Sequence, residues 1–81
     1  MSDIEMKDLI ANIAKAIVDK PEEVITTEIK GQQTSVIELK VAKEDIGKII
    51  GKQGRMAQAI RTILSAASAK IRRRCTLELI E

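Results

Sequence analysis

Two glycines, Gly51 and Gly54, enclose Lys52 and Gln53 and are followed at once by Arg55. Glycine permits a sharp turn and lets a phosphate come close to the main chain. Gly54 stands where a long helical pattern begins. Free N–H groups at a helix start, with the positive end of the helix dipole, attract anions. Lys52 and Arg55 add mobile cations, and Lys48 lies one turn earlier. The chemistry this implies is the cradling of a phosphodiester backbone. The plain alternative is a helix–turn–helix corner that holds nothing, since a bare Gly-x-x-Gly is common by chance. Flanking isoleucines, two basic residues and a helical pattern on each side favour the phosphate reading.

Other glycine chemistry fails on spacing. A P-loop needs four residues between its first Gly and Gly-Lys, then Ser or Thr. Gly47 to Gly51-Lys52 leaves three, and Gln53 follows. A dinucleotide fingerprint needs Gly where Ile49 stands, after a strand. The 81 residues contain no His, which removes most triads and zinc sites and the usual neutral-pH proton shuttle. The single Cys75 excludes an internal disulfide or a thiolate cluster. No enzyme activity, catalytic residue, metal, cofactor or small-molecule substrate is expected. The carboxylates Glu22-Glu23 and Glu44-Asp45 sit at element ends and read as caps and solvated charge. With no Trp, Tyr or Phe, the core must be aliphatic, and a surface of stacked aromatics is excluded. No apolar run reaches eighteen residues, so membrane insertion is not expected. The start, Met-Ser-Asp-Ile-Glu, is acidic rather than signal-like, and the expected address is cytoplasmic.

The net charge of +2 is unevenly spread. Residues 1–42 carry five Lys against eight Asp and Glu, and residues 43–81 carry nine Lys and Arg against four. The basic half contains the glycine pair and points to an anionic partner for one face, although charge alone fits a solvated surface as well.

The elements that must position the loop are legible from periodicity. Ser2 to Glu5 has capping-box spacing, with Met1 and Met6 as staple partners. A helix follows with Met6, Ile10, Ile13 and Ile17 on one side, and Pro21 ends it. Val24 to Lys30 is β-branched and reads as a strand, with Ile25, Thr27 and Ile29 on one face. Gly31-Gln32-Gln33 turns the chain into a second strand, Ser35 to Val41, with Ile37, Leu39 and Val41 inward. Lys43 opens a short helix containing Ile46, Ile49 and Ile50. After the glycine loop, Arg55 to about Ile71 forms a long helix with an expected stripe of Met56, Ile60, Ile63, Ala67 and Ile71. Cys75 to Ile80 is the last strand, with Cys75, Leu77 and Leu79 alternating inward. Cys75 reads as a small core hydrophobe. The class is α+β, one domain over residues 1–81, with helices on one face of a three-stranded sheet. The first two strands are antiparallel, and the long connection to the third allows a parallel pair.

Ile46-Gly47-Lys48-Ile49-Ile50-Gly51-Lys52-Gln53-Gly54-Arg55, with Ile60 beyond it, resembles the signature of a KH domain, whose Gly-x-x-Gly loop clamps about four backbone nucleotides. The αββααβ order is similar to the prokaryotic, type II arrangement with a mixed sheet. Over its whole length the chain looks like the small stand-alone bacterial KH proteins of the KhpA type. That resemblance implies a cytoplasmic protein that binds single-stranded RNA and acts as an RNA chaperone or post-transcriptional regulator. It also implies a homodimer, or a heterodimer with a larger KhpB-type KH protein, in the regulation of the cell envelope and cell length. Gly51, Lys52, Gln53 and Gly54 are then the phosphate clamp, and Lys48 and Arg55 supply flanking attraction. Ile46, Ile49 and Ile50 form one wall of a base groove. Leu39, Lys40 and Val41 form the other and offer main-chain groups to base edges. Helical spacing turns at least one of the three isoleucines into the core, and Ile50 is the expected one. The side chains of Lys40, Lys43 and Arg61 read as solvated surface, and Arg72-Arg73-Arg74 as a solvated helix end rather than a second contact. The small residues Ser65 to Ala69 fit close packing of the long helix on its own sheet, with a symmetric dimer contact as the second use. The rival to RNA binding is a protein-interaction adaptor that uses this fold for docking.

Overall fold

The first amphipathic run folds as helix α1, Met6–Ile17, in a computed structural model that describes residues 5–80. The cap expected at Ser2, and its staple residue Met1, lie outside those residues. Glu5 stands at the described cap and makes no side-chain cap hydrogen bond. Met6, Ile10 and Ala14 are buried one above another at helical spacing. The helix ends before Pro21, which disfavours helical geometry in the residue ahead of it and opens a 3-10 turn, Pro21–Glu23.

Strand β1, Ile25–Lys30, pairs antiparallel with β2, Thr34–Lys40. Strand β3, Arg74–Ile80, lies on the other side of β2 and pairs with it in parallel, Ile37 beside Leu77. The order β1-β2-β3 therefore puts β2 in the centre, with both of its main-chain edges in use. The crossover from β2 to β3 holds a 3-10 turn, Lys43–Asp45, a short helix α2, Ile46–Ile50, and a long helix α3, Arg55–Lys70. This is the expected α+β arrangement, a mixed three-stranded sheet with the helices on one face.

The core between the layers is aliphatic. Ile10, Ile37, Leu39, Ile49, Ile60 and Leu64 are each no more than 1% exposed. Burying each such side chain stabilises the fold by about 1.5–3 kcal/mol. Two faces differ from the sequence pattern. On α3 the buried stripe is Ala57, Ile60, Leu64 and Ser68, not the bulkier line through Met56 and Ile63. Small residues at the two ends of that stripe fit close packing of the helix on the strands. Met56, Ala59, Ile63 and Ala66 consequently form an outward stripe. On β1, Thr26 and Glu28 face the helices, while Ile25 and Ile29 point to the uncovered side of the sheet, 56% and 53% exposed.

Candidate nucleic-acid interface

Helix α2 is too short to hold itself together, and its end is set by the loop. The Gly51 N–H donates to the Gly47 carbonyl at 2.9 Å, and Gly51 then turns to φ 77°, ψ 175°. That conformation is open essentially to glycine alone. A Cβ there would lie 2.5 Å from Met56 Cβ and 2.7 Å from the Met56 main-chain nitrogen. The next turn is closed by the Gly54 N–H donating to the Gly51 carbonyl at 3.1 Å. Gln53 (φ 58°, ψ 26°) and Gly54 (φ 75°, ψ 10°) are both left-handed. Gly54 is the cap of the sixteen-residue α3, as its place in the sequence implied. Lys52, Gln53 and Arg55 are exposed and make no side-chain hydrogen bond or ion pair among the described residues.

The residues before the loop are arranged differently from the expectation. Ile49, not Ile50, is the isoleucine in the core: Ile49 is 0% and Ile50 41% exposed, with Ile46 half-buried. One residue is about 100° of helix turn, and the side of α2 that packs on α3 and α1 passes through Ile49. Lys48 is not a free cation. Its ammonium lies 3.1 Å from Asp19 Oδ2 and 3.8 Å from Asp45 Oδ1. Hydrogen bonding to Asp19, then its charge, raises the Lys48 pKa above its ordinary value. Asp45 is not a solvated end residue either. It is 1% exposed, and its carboxylate accepts the main-chain N–H groups of Asp19 at 3.3 Å and Lys20 at 3.0 Å. Lys20 in turn pairs with Glu44, which holds that carboxyl below its usual range. These contacts tie the segment after α1 to the start of α2.

The second wall also moves. Leu39 and Val41 are buried, 0% and 6% exposed, and Lys40 projects from the uncovered face of the sheet. A central strand has no main-chain edge left for a ligand, so β2 does not offer the main-chain groups that the resemblance implied for it. Both outer strands have a free edge, and β3 is the one that packs against α3. An open-sided groove of about 220 Å³ runs between α3 and β3, lined by Arg61, Leu64, Cys75, Thr76 and Leu77. Alternate strand residues point to opposite faces, so a groove touched by three residues in succession follows the strand's edge. Arg61 is six residues into α3, about 9 Å along the axis from Arg55. Cys75 packs as the small hydrophobe it was read to be. Burial pushes its thiol up, which keeps it protonated near neutral pH.

The three arginines after α3 also divide. Arg72 takes a left-handed conformation, φ 59°. Its N–H donates to the Ala69 carbonyl and the Arg73 N–H to the Ser68 carbonyl. That is a Schellman ending. The Arg73 guanidinium is engaged by the protein: it donates to Ser35 Oγ at 2.9 Å and to the Gly31 carbonyl at 3.0 Å. It clasps the β1–β2 turn to the end of α3. Ser68 and half-buried Ala67 pack inward, while Ser65, Ala66 and Ala69 stay exposed.

An αββααβ chain with a mixed three-stranded sheet, a Gly-x-x-Gly corner between its last two helices and an open groove beside it is a type II KH domain. A family model described as "KhpA/KhpB, KH domain" matches residues 7–79, and the chain belongs to that family. It is 53% identical over 75 residues to the RNA-binding protein KhpA of Clostridium acetobutylicum, covering 93% of this chain and 100% of that protein. The KhpA of Caldanaerobacter subterraneus is 56% identical over 75 residues with the same coverage. That of Aquifex aeolicus is 50% identical over 76 residues, 94% of this chain and 96% of that one. Among solved structures, Aquifex aeolicus Era in a GDP.AlF4- complex superposes with a TM-score of 0.57 at 22% identity. The match covers 96% of this chain and 31% of Era, a likeness of fold alone.

Proposed function

We propose that this chain binds single-stranded RNA and catalyses no reaction. The observation that carries the reading is the loop. Two glycines at positive φ present a lysine, a glutamine and an arginine, all unpaired among the described residues, at the start of a sixteen-residue helix. Relatives over the same length carry the name RNA-binding protein. In this reading Gly51 to Gly54 clamp the phosphates, with Lys52 and Arg55 as their cations. Bases lie along the groove between α3 and β3, and Ile46 and Ile50 flank the entry from α2. Lys48 acts through α2 rather than on the RNA. One clamp spans about four nucleotides, so affinity is weak until a second domain raises the effective concentration. The working species is accordingly a homodimer or a pair with a larger KhpB-type protein. It acts in the cytoplasm as an RNA chaperone or post-transcriptional regulator, with effects on the cell envelope and cell length. No described helix is long and apolar enough to cross a membrane.

The test is binding of a single-stranded RNA by the wild type and by a Lys52→Asp, Gln53→Asp double variant across a salt series. With about three phosphate contacts, log affinity falls against log salt with a slope of about −2. The variant is expected to stay folded by circular dichroism, lose binding and lose most of that slope. Equal binding by both proteins would place the RNA elsewhere. An adaptor role is the second reading, favoured by the exposed Met56 and Ile63 on α3 and Ile25 and Ile29 on β1. It gains if the wild type binds no RNA and retains a protein partner.

A further inference from the structure

A strand held at the clamp and laid along the groove must leave it, and the far end of the groove is basic. The lining of the groove reaches Cys75, and Arg74 is the residue before it on β3. Around that end stand Lys30 at the close of β1, Lys70 at the close of α3, and Arg72 and Arg74 where α3 gives way to β3. All four are exposed and make no side-chain hydrogen bond or ion pair among the described residues. Between Asp45 and Glu78 the sequence has no acidic residue, so α3 and its connection to β3 carry no carboxylate to offset them.

Cations at the end of a helix complement its dipole, and Lys70 alone does that. Arg72 and Arg74 need another account. Arg72 occupies the left-handed position of the Schellman ending, φ 59°, where glycine is the favoured residue. A long cationic side chain stands there against the preference of the backbone. Arg74 lies beyond the helix, and because Cys75 is buried towards the helices, Arg74 projects from the opposite face of the sheet. Between the two, Arg73 donates to Ser35 Oγ and the Gly31 carbonyl, and the Arg74 N–H donates to the Gln33 carbonyl at 3.1 Å. The outer arginines are therefore mounted on a stretch of backbone that the β1–β2 turn holds in place.

We infer that Arg72 and Arg74 form a second phosphate-binding site, which takes up the RNA strand after it leaves the groove. The inference rests on the RNA reading given above and lengthens its footprint. Helix α3 has sixteen residues, so the clamp and the arginine pair lie about 24 Å apart along its axis. A stacked strand rises about 3.4 Å per nucleotide, which makes that span about seven nucleotides, more than the four or so that one clamp holds. Guanidinium groups meet phosphate oxygens as paired donors and read no base here. Two weak phosphate contacts joined by one strand raise each other's effective concentration. A single chain then gains affinity with RNA length before any partner joins it.

The experiment uses the full chain with oligouridines of five and twelve nucleotides across a salt series. The shorter RNA fills the clamp without reaching Arg72, and the longer one reaches both sites. The proteins are the wild type, an Arg72→Gln, Arg74→Gln double variant, Arg72→Gly, and the Lys52→Asp, Gln53→Asp clamp variant. With two phosphate contacts added, the wild-type salt slope is expected to steepen by about 1.4 from the shorter RNA to the longer. The double variant is expected to bind the shorter RNA as the wild type does, to lose the added slope on the longer one, and to bind it about tenfold less tightly at low salt. A general effect of net charge would weaken both RNAs alike and would overturn the inference. So would unchanged binding of the longer RNA, which would leave the arginines to an acidic protein partner. Arg72→Gly separates binding from folding. It is expected to raise the urea midpoint, since glycine suits the left-handed turn, and to weaken only the longer RNA. A lowered midpoint would make Arg72 a structural residue and remove it from the site. Binding of the shorter RNA that survives in the clamp variant overturns the clamp itself, and no binding of either RNA by the wild type overturns both readings.

Discussion

At the scale of single residues, the two loop glycines are not equivalent, although the sequence makes them look alike. Gly51 has a backbone conformation closed to other residues and no space for a Cβ, while Gly54 is merely left-handed, with nothing within 4 Å of a Cβ. Gly51→Ala is expected to cost about 3 kcal/mol in urea denaturation and to abolish clamp binding. Gly54→Ala is expected to cost about 1 kcal/mol and to leave a folded, weaker binder. Equal losses at the two positions would contradict this geometry. Lys48 and Lys52 form a second contrasting pair. Lys48 is engaged by Asp19 and Asp45, so Lys48→Met should weaken RNA binding with no change in salt slope. A residue on a phosphate would take about 0.7 from that slope, as expected for Lys52→Met. The sequence showed the glycines, their spacing and the cations beside them, because backbone freedom and charge are properties of residue type. It did not show that Lys48 is engaged, because Asp19 lies 29 residues away and only the fold brings it near. Nor did it show the left-handed Gln53, since glutamine has no particular preference for that region.

At the scale of elements, the fold class, the strand pairing and the helical loop corner followed from periodicity, with element ends shifted by a residue or so. Which face of each element is buried did not follow for α3 or β1. Both carry apolar residues on two sides, and the pattern alone favours the bulkier one. The groove wall at Leu39 to Val41 came from the resemblance, and periodicity could not check it. Alternation shows which residues face inward but not which strand is central, and main-chain groups are to spare only on the edge strands β1 and β3, of which β3 packs against α3. Asp45 is the clearest element-level contact that periodicity hides. It connects the segment after α1 to the start of α2 through two main-chain N–H groups. Asp45→Ala is expected to destabilise the fold by about 3 kcal/mol, since it strips the acceptor from both. Arg73→Ala is expected to cost about 2 kcal/mol, because it leaves the buried Ser35 hydroxyl without its donor. Urea midpoints measured together on the two variants check both values. A loss within 0.5 kcal/mol, as for ordinary surface positions, would mean that neither contact holds its elements in place.

At the scale of the whole molecule, 81 residues bury a thin core and leave apolar surface on the outward stripe of α3. Self-association through Met56, Ala59, Ile63 and Ala66 is expected in sedimentation equilibrium at high micromolar concentration. Ile63→Asp should abolish it without unfolding the chain, since Ile63 is 46% exposed. A wild type that sediments as a monomer throughout that range would remove the homodimer. The parallel pairing of β2 with β3 has another consequence, for the order of folding. The β1–β2 hairpin closes over a few residues, but Thr34 meets Arg74 only across a separation of forty residues that takes in the whole crossover. Long-range pairings of this kind form late, because the entropy of closing the loop must be met before the contacts reward it. The groove is closed on its β3 side only by that final docking, and the clamp lies inside the same crossover. A nascent or partly folded chain with its hairpin formed would therefore have no finished site, and RNA would engage only molecules whose last strand has docked. Bound RNA would then slow unfolding by holding that strand in place.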